Sequence, residues 1–207
     1  MPKRVVVLDY GSGNLRSAQR ALARVGADVT VTSDLAAAAR ADGLVVPGVG
    51  AYAACMAGIV ALGAGPVIAD RVRAGGPVLG ICVGMQVLFD TGEEHGVVTK
   101  GLGLVPGTVS RLEAPVVPHM GWNVVDWPAG SRLGAGVEPG TRFYFVHSYA
   151  PQPNGAQDLA GVRVATATHG AQFVAAVEHG VLWATQFHPE KSGDAGAVLL
   201  ANWLETL

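Results

Sequence analysis

Over the first ninety positions apolar residues occur in two spacings: short β-branched runs bounded by turn residues, and longer segments where they recur every three or four residues. Val5 to Leu8, Val29 to Thr32, Leu44 to Val46 and Val78 to Ile81 belong to the first kind, and uninterrupted apolar character over so short a run predicts strands buried on both faces. Between them Leu15, Ala18, Leu22 and Val25 share one face of a helix. Gly26 is placed to end that helix, and Asp34 to cap the alanine-rich segment that follows. Strand and helix in alternation predict βαβ units around a parallel sheet.

After Gly92 the pattern changes to strands punctuated by glycine and proline, among them Phe143 to Tyr149, Val162 to Thr168, Phe173 to Glu178 and Val181 to Phe187. Gly170 and the pair His179-Gly180 separate runs as hairpin turns do, and Ala195 to Leu204 reads as a closing apolar helix. The fold class expected is α/β: doubly wound, with a mostly parallel central sheet and additional antiparallel strands in the C-terminal half. At 207 residues the chain can bury a sizeable core without disulfides or metals, so residues 1–207 are expected to form a single domain.

Composition alters this picture in three places. Gly43 to Ala69 carries no charge over 27 residues, long enough to span a membrane, but six glycines with Pro47 and Pro66 cut it into a strand, a loop and two short helices, so no membrane partner is expected. The run Val5 to Leu8 after Met1-Pro2-Lys3-Arg4 is too short for a signal peptide, and the two cysteines, Cys55 and Cys82, form no Cys-x-x-Cys, so a reducing cytoplasmic setting is expected. With 14% charged residues, a formal net charge of -2 and no basic block, nucleic acid is not an expected partner.

Candidate chemistry concentrates in two places. Gly80-Ile81-Cys82-Val83-Gly84, after the strand Pro77 to Leu79 and before an expected helix Met85 to Phe89, has the form of a nucleophile elbow. Glycine two positions to either side removes Cβ atoms that would clash at so tight a turn, helix N-terminal amides favour a thiolate, and the amide of Val83 points to where an oxyanion would form. His188-Pro189-Glu190 follows an apolar strand, at the end of a strand where α/β sheets place their sites. Proline holds the histidine extended and leaves the carboxylate close enough to orient the ring.

Other chemistries fit less well. His-x-Glu occurs in zinc deaminases, but the Pro-Cys-x-x-Cys that completes the metal site is missing, and His95, His119, His147, His169 and His179 show no ligand spacing, so no metal is expected. Gly11-Ser12-Gly13-Asn14-Leu15-Arg16 places arginine where a dinucleotide fingerprint needs a small residue. Gly48-Val49-Gly50-Ala51-Tyr52-Ala53 fits better, but Asp70 falls in a helical pattern, away from the strand end where it could reach a ribose. No cofactor is expected, and the second glycine loop reads instead as a turn whose amides face the cysteine.

The elbow with Gln86 four residues on, together with His188-Pro189-Glu190, resembles the class I glutamine amidotransferases. Four further blocks resemble the branch that serves as glutaminase subunits of imidazole glycerol phosphate synthase: Asp9 to Leu15, Pro47-Gly48-Val49-Gly50, Pro118 to Asn123, and Phe145-Val146-His147-Ser148-Tyr149. Val83 stands where that branch more often has leucine, and Tyr52 where it has phenylalanine. The resemblance implies hydrolysis of glutamine through a thioester on Cys82, with His188 and Glu190 completing the triad and with Val49, Gly50 and Val83 forming the oxyanion hole. It implies that Gly48, Gly50, Gln86, His147, Ser148 and Tyr149 hold the glutamine. It also implies a heterodimer with a (β/α)8-barrel cyclase that receives the ammonia, docked near Asn14, Trp122 and Tyr144. A glutaminase feeding a different synthase is the first competing reading, opposed by the four blocks. A binding protein on the same fold is the second, opposed by the close His188 and Glu190 pair.

Overall fold

The computed structural model of the chain describes residues 1–153 and 160–207. In the N-terminal part β1 (Arg4–Leu8), β2 (Asp28–Thr32), β3 (Gly43–Gly48) and β4 (Val78–Cys82) alternate with helices α1 (Leu15–Arg24), α2 (Leu35–Arg40), α3 (Tyr52–Leu62) and α4 (Ala64–Arg73). Every residue of β3 and β4 is buried, which is why these strands carry no alternation of polar side chains. The Asp34 carboxylate accepts from the amides of Ala36 and Ala37 at 2.8 and 3.2 Å and caps α2 as expected. The apolar stretch from Gly43 resolves into β3, a loop, and α3 and α4, which meet at 87° about Gly63, and no single helix among the described residues is long and apolar enough to cross a membrane.

The rest of the chain is strand-rich: β5 (Phe89–Glu94), β6 (Val97–Lys100), β7 (Val105–Arg111), β8 (His119–Val124), β9 (Arg142–His147), β10 (Tyr149–Pro151), β11 (Val162–His169), β12 (Ala171–His179) and β13 (Leu182–Thr185), closed by α6 (Gly193–Leu204). The central sheet runs β11-β12-β13-β4-β3-β1-β2. From β13 to β2 all neighbours are parallel, whereas β11-β12 and β12-β13 are antiparallel hairpins turning at Gly170 and at His179-Gly180. Two smaller sheets, β10-β7-β5-β6 and β8-β9, cover the end of the central sheet where β4 finishes.

Three local expectations shift. The helix expected at Met85 to Phe89 is instead a single turn, α5 (Val83–Gln86), and Phe89 opens β5. The carbonyls of Val87, Leu88 and Phe89, which a longer helix would use, accept instead from the amides of Leu102, Leu104 and Gly103. The run Phe143 to Tyr149 divides between two sheets at Ser148, and the run from Val181 leaves strand geometry after Thr185, whose hydroxyl donates to Phe187 O at 3.0 Å.

Candidate active site

The parallel strands β3, β4 and β13 lie side by side, with Gly48 level with Cys82 and Thr185 level with Ile81. Their C-terminal ends therefore deliver the loop after Gly48, the turn at Cys82 and the turn after Phe187 to one place. Cys82 has φ 57° and ψ −115°, a conformation that side chains rarely adopt, and it is 3% exposed. A Cβ on Gly84 would collide with Val46 O, and one on Gly48 with the amide of Gly84, so both residues let β3 press against the elbow.

His188 and Glu190 are held on the facing turn. The His188 amide donates to Tyr144 O at 2.9 Å, and Ser192 Oγ donates to His188 O at 2.7 Å while accepting from the Tyr144 amide at 3.0 Å. His188 Nδ1 donates to Glu190 Oε1 at 2.7 Å, with the two side chains 2% and 4% exposed. That contact fixes the tautomer and leaves Nε2 for the cysteine. Burial works against charge on the imidazole, but hydrogen bonding to Cys82 and Glu190 and their negative charges outweigh it, and the His188 pKa is raised to about 9. Glu190 Oε2 is buried with no protein partner among the described residues, and Glu190 also lines a separate cavity between α1 and α6, together with Arg20 and Arg24.

Cys82 and His188 line a common cavity of about 220 Å³. Val49, Gly50, Val83, Gln86, His147, Ser148 and Tyr149 line it too, so these expected site residues are brought together. Gly48 is not among the lining residues; its contacts are with the elbow backbone, which makes it a packing position. Gln86 is buried and its Nε2 donates to Tyr149 O at 2.8 Å and to Gln186 Oε1 at 2.9 Å. The Val49 amide donates to Ser12 Oγ at 3.2 Å, so in this conformation it is committed to that hydroxyl rather than free for an oxyanion. Tyr10 Oη donates to Pro47 O on the same loop.

Trp122 and Tyr144 are a directly opposed pair on β8 and β9, with ring centroids 5.9 Å apart. Trp122 is 55% exposed and Tyr144 half-buried, while Asn14 is exposed at the start of α1. Met120 and Val124 flank Trp122 on the same outward face and are exposed as well. No group of three or more potential metal ligands occurs among the described residues, and Asp70 sits on α4, paired with Arg73.

Sequence reasoning missed Glu94, Lys191, Gln186 and Ser12. Glu94 and Lys191 line the cavity with opposite charges, and Glu94 Oε2 accepts from the Tyr52 amide at 2.9 Å. Gln186 is fully buried, its Nε2 3.8 Å from Cys82 Sγ. Gln186 and Lys191 adjoin His188-Pro189-Glu190 and could have been found by extending that block, whereas nothing in the run Glu93-Glu94 singles out the second glutamate.

The family model described as glutamine amidotransferase class-I matches residues 6–207. The chain is 64% identical over 211 residues to imidazole glycerol phosphate synthase subunit HisH of Thermobifida fusca, covering all of both chains. It is 65% identical to the protein of the same name from Mycobacterium bovis, covering 99% of this chain and 98% of that one. Among solved structures it resembles PurLQS from Thermotoga maritima with a TM-score of 0.74 at 19% identity, covering 99% of each chain, a likeness of fold.

Proposed function

The chain belongs to the class-I glutamine amidotransferase family, and from that membership we propose that it is the glutaminase subunit of an imidazole glycerol phosphate synthase, with Cys82 as nucleophile, His188 as acid and base, and Glu190 as the group that orients the imidazole. The observation that carries this assignment is the buried 2.7 Å contact between His188 Nδ1 and Glu190 Oε1, on a cavity that Cys82 shares. The raised His188 pKa keeps the imidazole protonated near neutral pH, ready to give its proton to a leaving nitrogen.

The thiolate adds to the carbonyl carbon of the glutamine side chain, and the carbonyl electrons move onto oxygen. His188 gives its proton to the amide nitrogen as the C–N bond breaks, releasing ammonia and leaving a γ-glutamyl thioester. His188, now neutral, takes a proton from water as the hydroxide oxygen adds to the thioester; collapse of that intermediate returns the thiolate and releases glutamate. The amide of Val83 is one oxyanion donor. The other comes from the Val49 or Gly50 peptide once Val49 leaves Ser12, and Gly50, at φ 85° with open space around its Cα, makes that rotation inexpensive. Glu94 supplies a carboxylate for the substrate ammonium, and Gln86, His147, Ser148 and Tyr149 bound the remainder of the amino acid.

The partner is a (β/α)8-barrel cyclase in a cytoplasmic heterodimer, docked over Trp122, Tyr144 and Asn14. The exposed apolar row on β8 supports this placement, since a contiguous outward patch of Met, Trp and Val suits a protein interface. Direct transfer keeps the ammonia from protonating in bulk water. The test is the Cys82→Ala variant assembled with the cyclase. Glutamine-dependent synthesis should disappear while synthesis from added ammonia continues. Loss of both activities in a folded complex refutes the ammonia-donor role.

A further inference from the structure

A chain of hydrogen bonds along β8 and β9 includes two residues, His119 and Asn123, that have no role above. His119 and His147 are directly opposed on the two strands, and His119 Nδ1 lies 3.0 Å from His147 Nε2. His147 Nδ1 lies 2.9 Å from Tyr149 O, and Asn123 Nδ2 lies 3.3 Å from His119 Nε2 and 3.0 Å from Thr168 O. Asn123 Oδ1 accepts from the Val124 amide at 2.9 Å, which fixes which end of that side chain is nitrogen.

These contacts determine every proton. A carbonyl only accepts, so His147 carries its proton on Nδ1 and offers a lone pair at Nε2. His119 must then donate from Nδ1 and accept at Nε2 from the Asn123 amide. The direction is the same throughout: Asn123 to His119 to His147 to Tyr149 O. It requires both imidazoles to be neutral, and burial supports this by lowering the pKa of His119 to about 4 and of His147 to about 3. His119 is also clamped between rings, stacked on Phe145 at 4.8 Å and on His169 at 4.3 Å.

The far end of the chain reaches the reacting sulfur. Tyr149 O also accepts from Gln86, Gln86 holds Gln186, and Gln186 Nε2 approaches Cys82. His147 and Gln86 line the nucleophile's cavity; His119 and Asn123 do not. We propose that His119 and Asn123 are positioning residues for glutamine binding, acting through His147: the bond donated to its Nε2 holds its ring plane, and so holds the Tyr149 carbonyl and the Gln86 amide where the substrate meets them. This inference rests on the glutaminase reading above.

The test uses the complex with the cyclase. His119→Leu removes the donor to His147 and should raise the KM for glutamine about tenfold with kcat within about twofold, the size of effect one misplaced buried hydrogen bond produces. His119→Asn places an amide nitrogen close to the position of the ring Nδ1 and should restore the KM. Nitrogen-15 NMR of the histidine rings should show His147 protonated on Nδ1 throughout, with its Nε2 at the resonance of a hydrogen-bonded acceptor in the wild type and in His119→Asn and of an unbonded one in His119→Leu. A folded His119→Leu complex with wild-type KM, or with the His147 Nε2 resonance unchanged, overturns the proposal. If His119→Leu fails a thermal melt, Asn123→Ala decides by the same two readouts. If the wild-type complex shows no Cys82-dependent glutamine hydrolysis, the glutaminase reading fails and the binding role with it, while the Nε2 resonance still reports on the hydrogen-bond chain by itself.

Discussion

The backbone conformation of Cys82 predicts an inverted stability order. At an ordinary helix position, replacing alanine by glycine costs about 1 kcal/mol. Cys82, at φ 57° and ψ −115°, lies outside the left-handed helical well as well as the two main allowed regions, so any residue with a Cβ is strained there. Strain of this kind costs about 1–3 kcal/mol, and the distance of ψ from the left-handed well puts Cys82 toward the upper end. Cys82→Ala removes the thiol and keeps the strain; Cys82→Gly removes both. The relief of about 3 kcal/mol is offset by about 1 kcal/mol of glycine backbone entropy and about 0.8 kcal/mol for one lost buried carbon, leaving glycine ahead by about 1 kcal/mol. For a chain of this size that is a rise in Tm of about 2–4 °C relative to Cys82→Ala. Scanning calorimetry of the two variants measures it, with Ala57→Gly on the exposed side of α3 as the control that should move in the usual direction. If Cys82→Ala is as stable as Cys82→Gly or more so, the turn is not strained and the elbow argument is wrong.

Three further outcomes follow from the same geometry. Because the folded pKa of His188 is raised from 6.5 to about 9, the stabilisation it supplies is fully present below pH 6.5 and lost as pH rises through 9, by at most about 3 kcal/mol; urea midpoints between pH 6 and 10 should fall in the wild type and fall less in Glu190→Gln. Ser12→Ala frees the Val49 amide, so glutamine hydrolysis by the subunit without its partner should rise about fivefold, the equivalent of one hydrogen bond of about 1 kcal/mol; an unchanged basal rate would show that the Ser12 contact does not restrain the loop. The buried Arg71 guanidinium donates to five carbonyls, those of Ala38, Ala39, Ala41, Asp42 and Pro77, tying the end of α2 to the starts of β3 and β4. Arg71→Met should therefore lower stability by about 2–4 kcal/mol in chemical denaturation, and Arg71→Lys, which lacks the planar fork, should recover little of it.

What could be read from the sequence and what could not divide along a physical line. The strands β1, β3 and β4 are legible because burial on both faces leaves no polar residue to interrupt the run, and Asp34 and Gly170 are legible because a cap and a turn act within three or four residues. The end of the helix after Cys82 is not, since it is decided by the amides of Leu102, Gly103 and Leu104, more than a dozen residues away. The strands β5 to β8 escape for a related reason: their side chains are largely exposed or half-buried, and only pairing with distant partners defines them.

The candidate site shows the same division within a single motif. The glycines at 80 and 84 announce the elbow, because the close approach they permit is a property of their own missing Cβ atoms. The state of the oxyanion loop is not announced by Gly48 and Gly50, since where the Val49 amide points depends on Ser12, from a different strand's loop. These two glycines also do different work. Gly48 is locked against the elbow backbone, so the nucleophile end of the cavity is rigid, whereas Gly50 has open space around it and can turn. On the proposed assignment, a site with its thiol and imidazole fixed and one oxyanion donor held aside binds glutamine before it is competent to cleave it. Chemistry then waits on whatever moves a single peptide, and a partner docked on β8 as proposed would reach the cavity through β9, which pairs with β8 and lines that cavity at Val146 and His147.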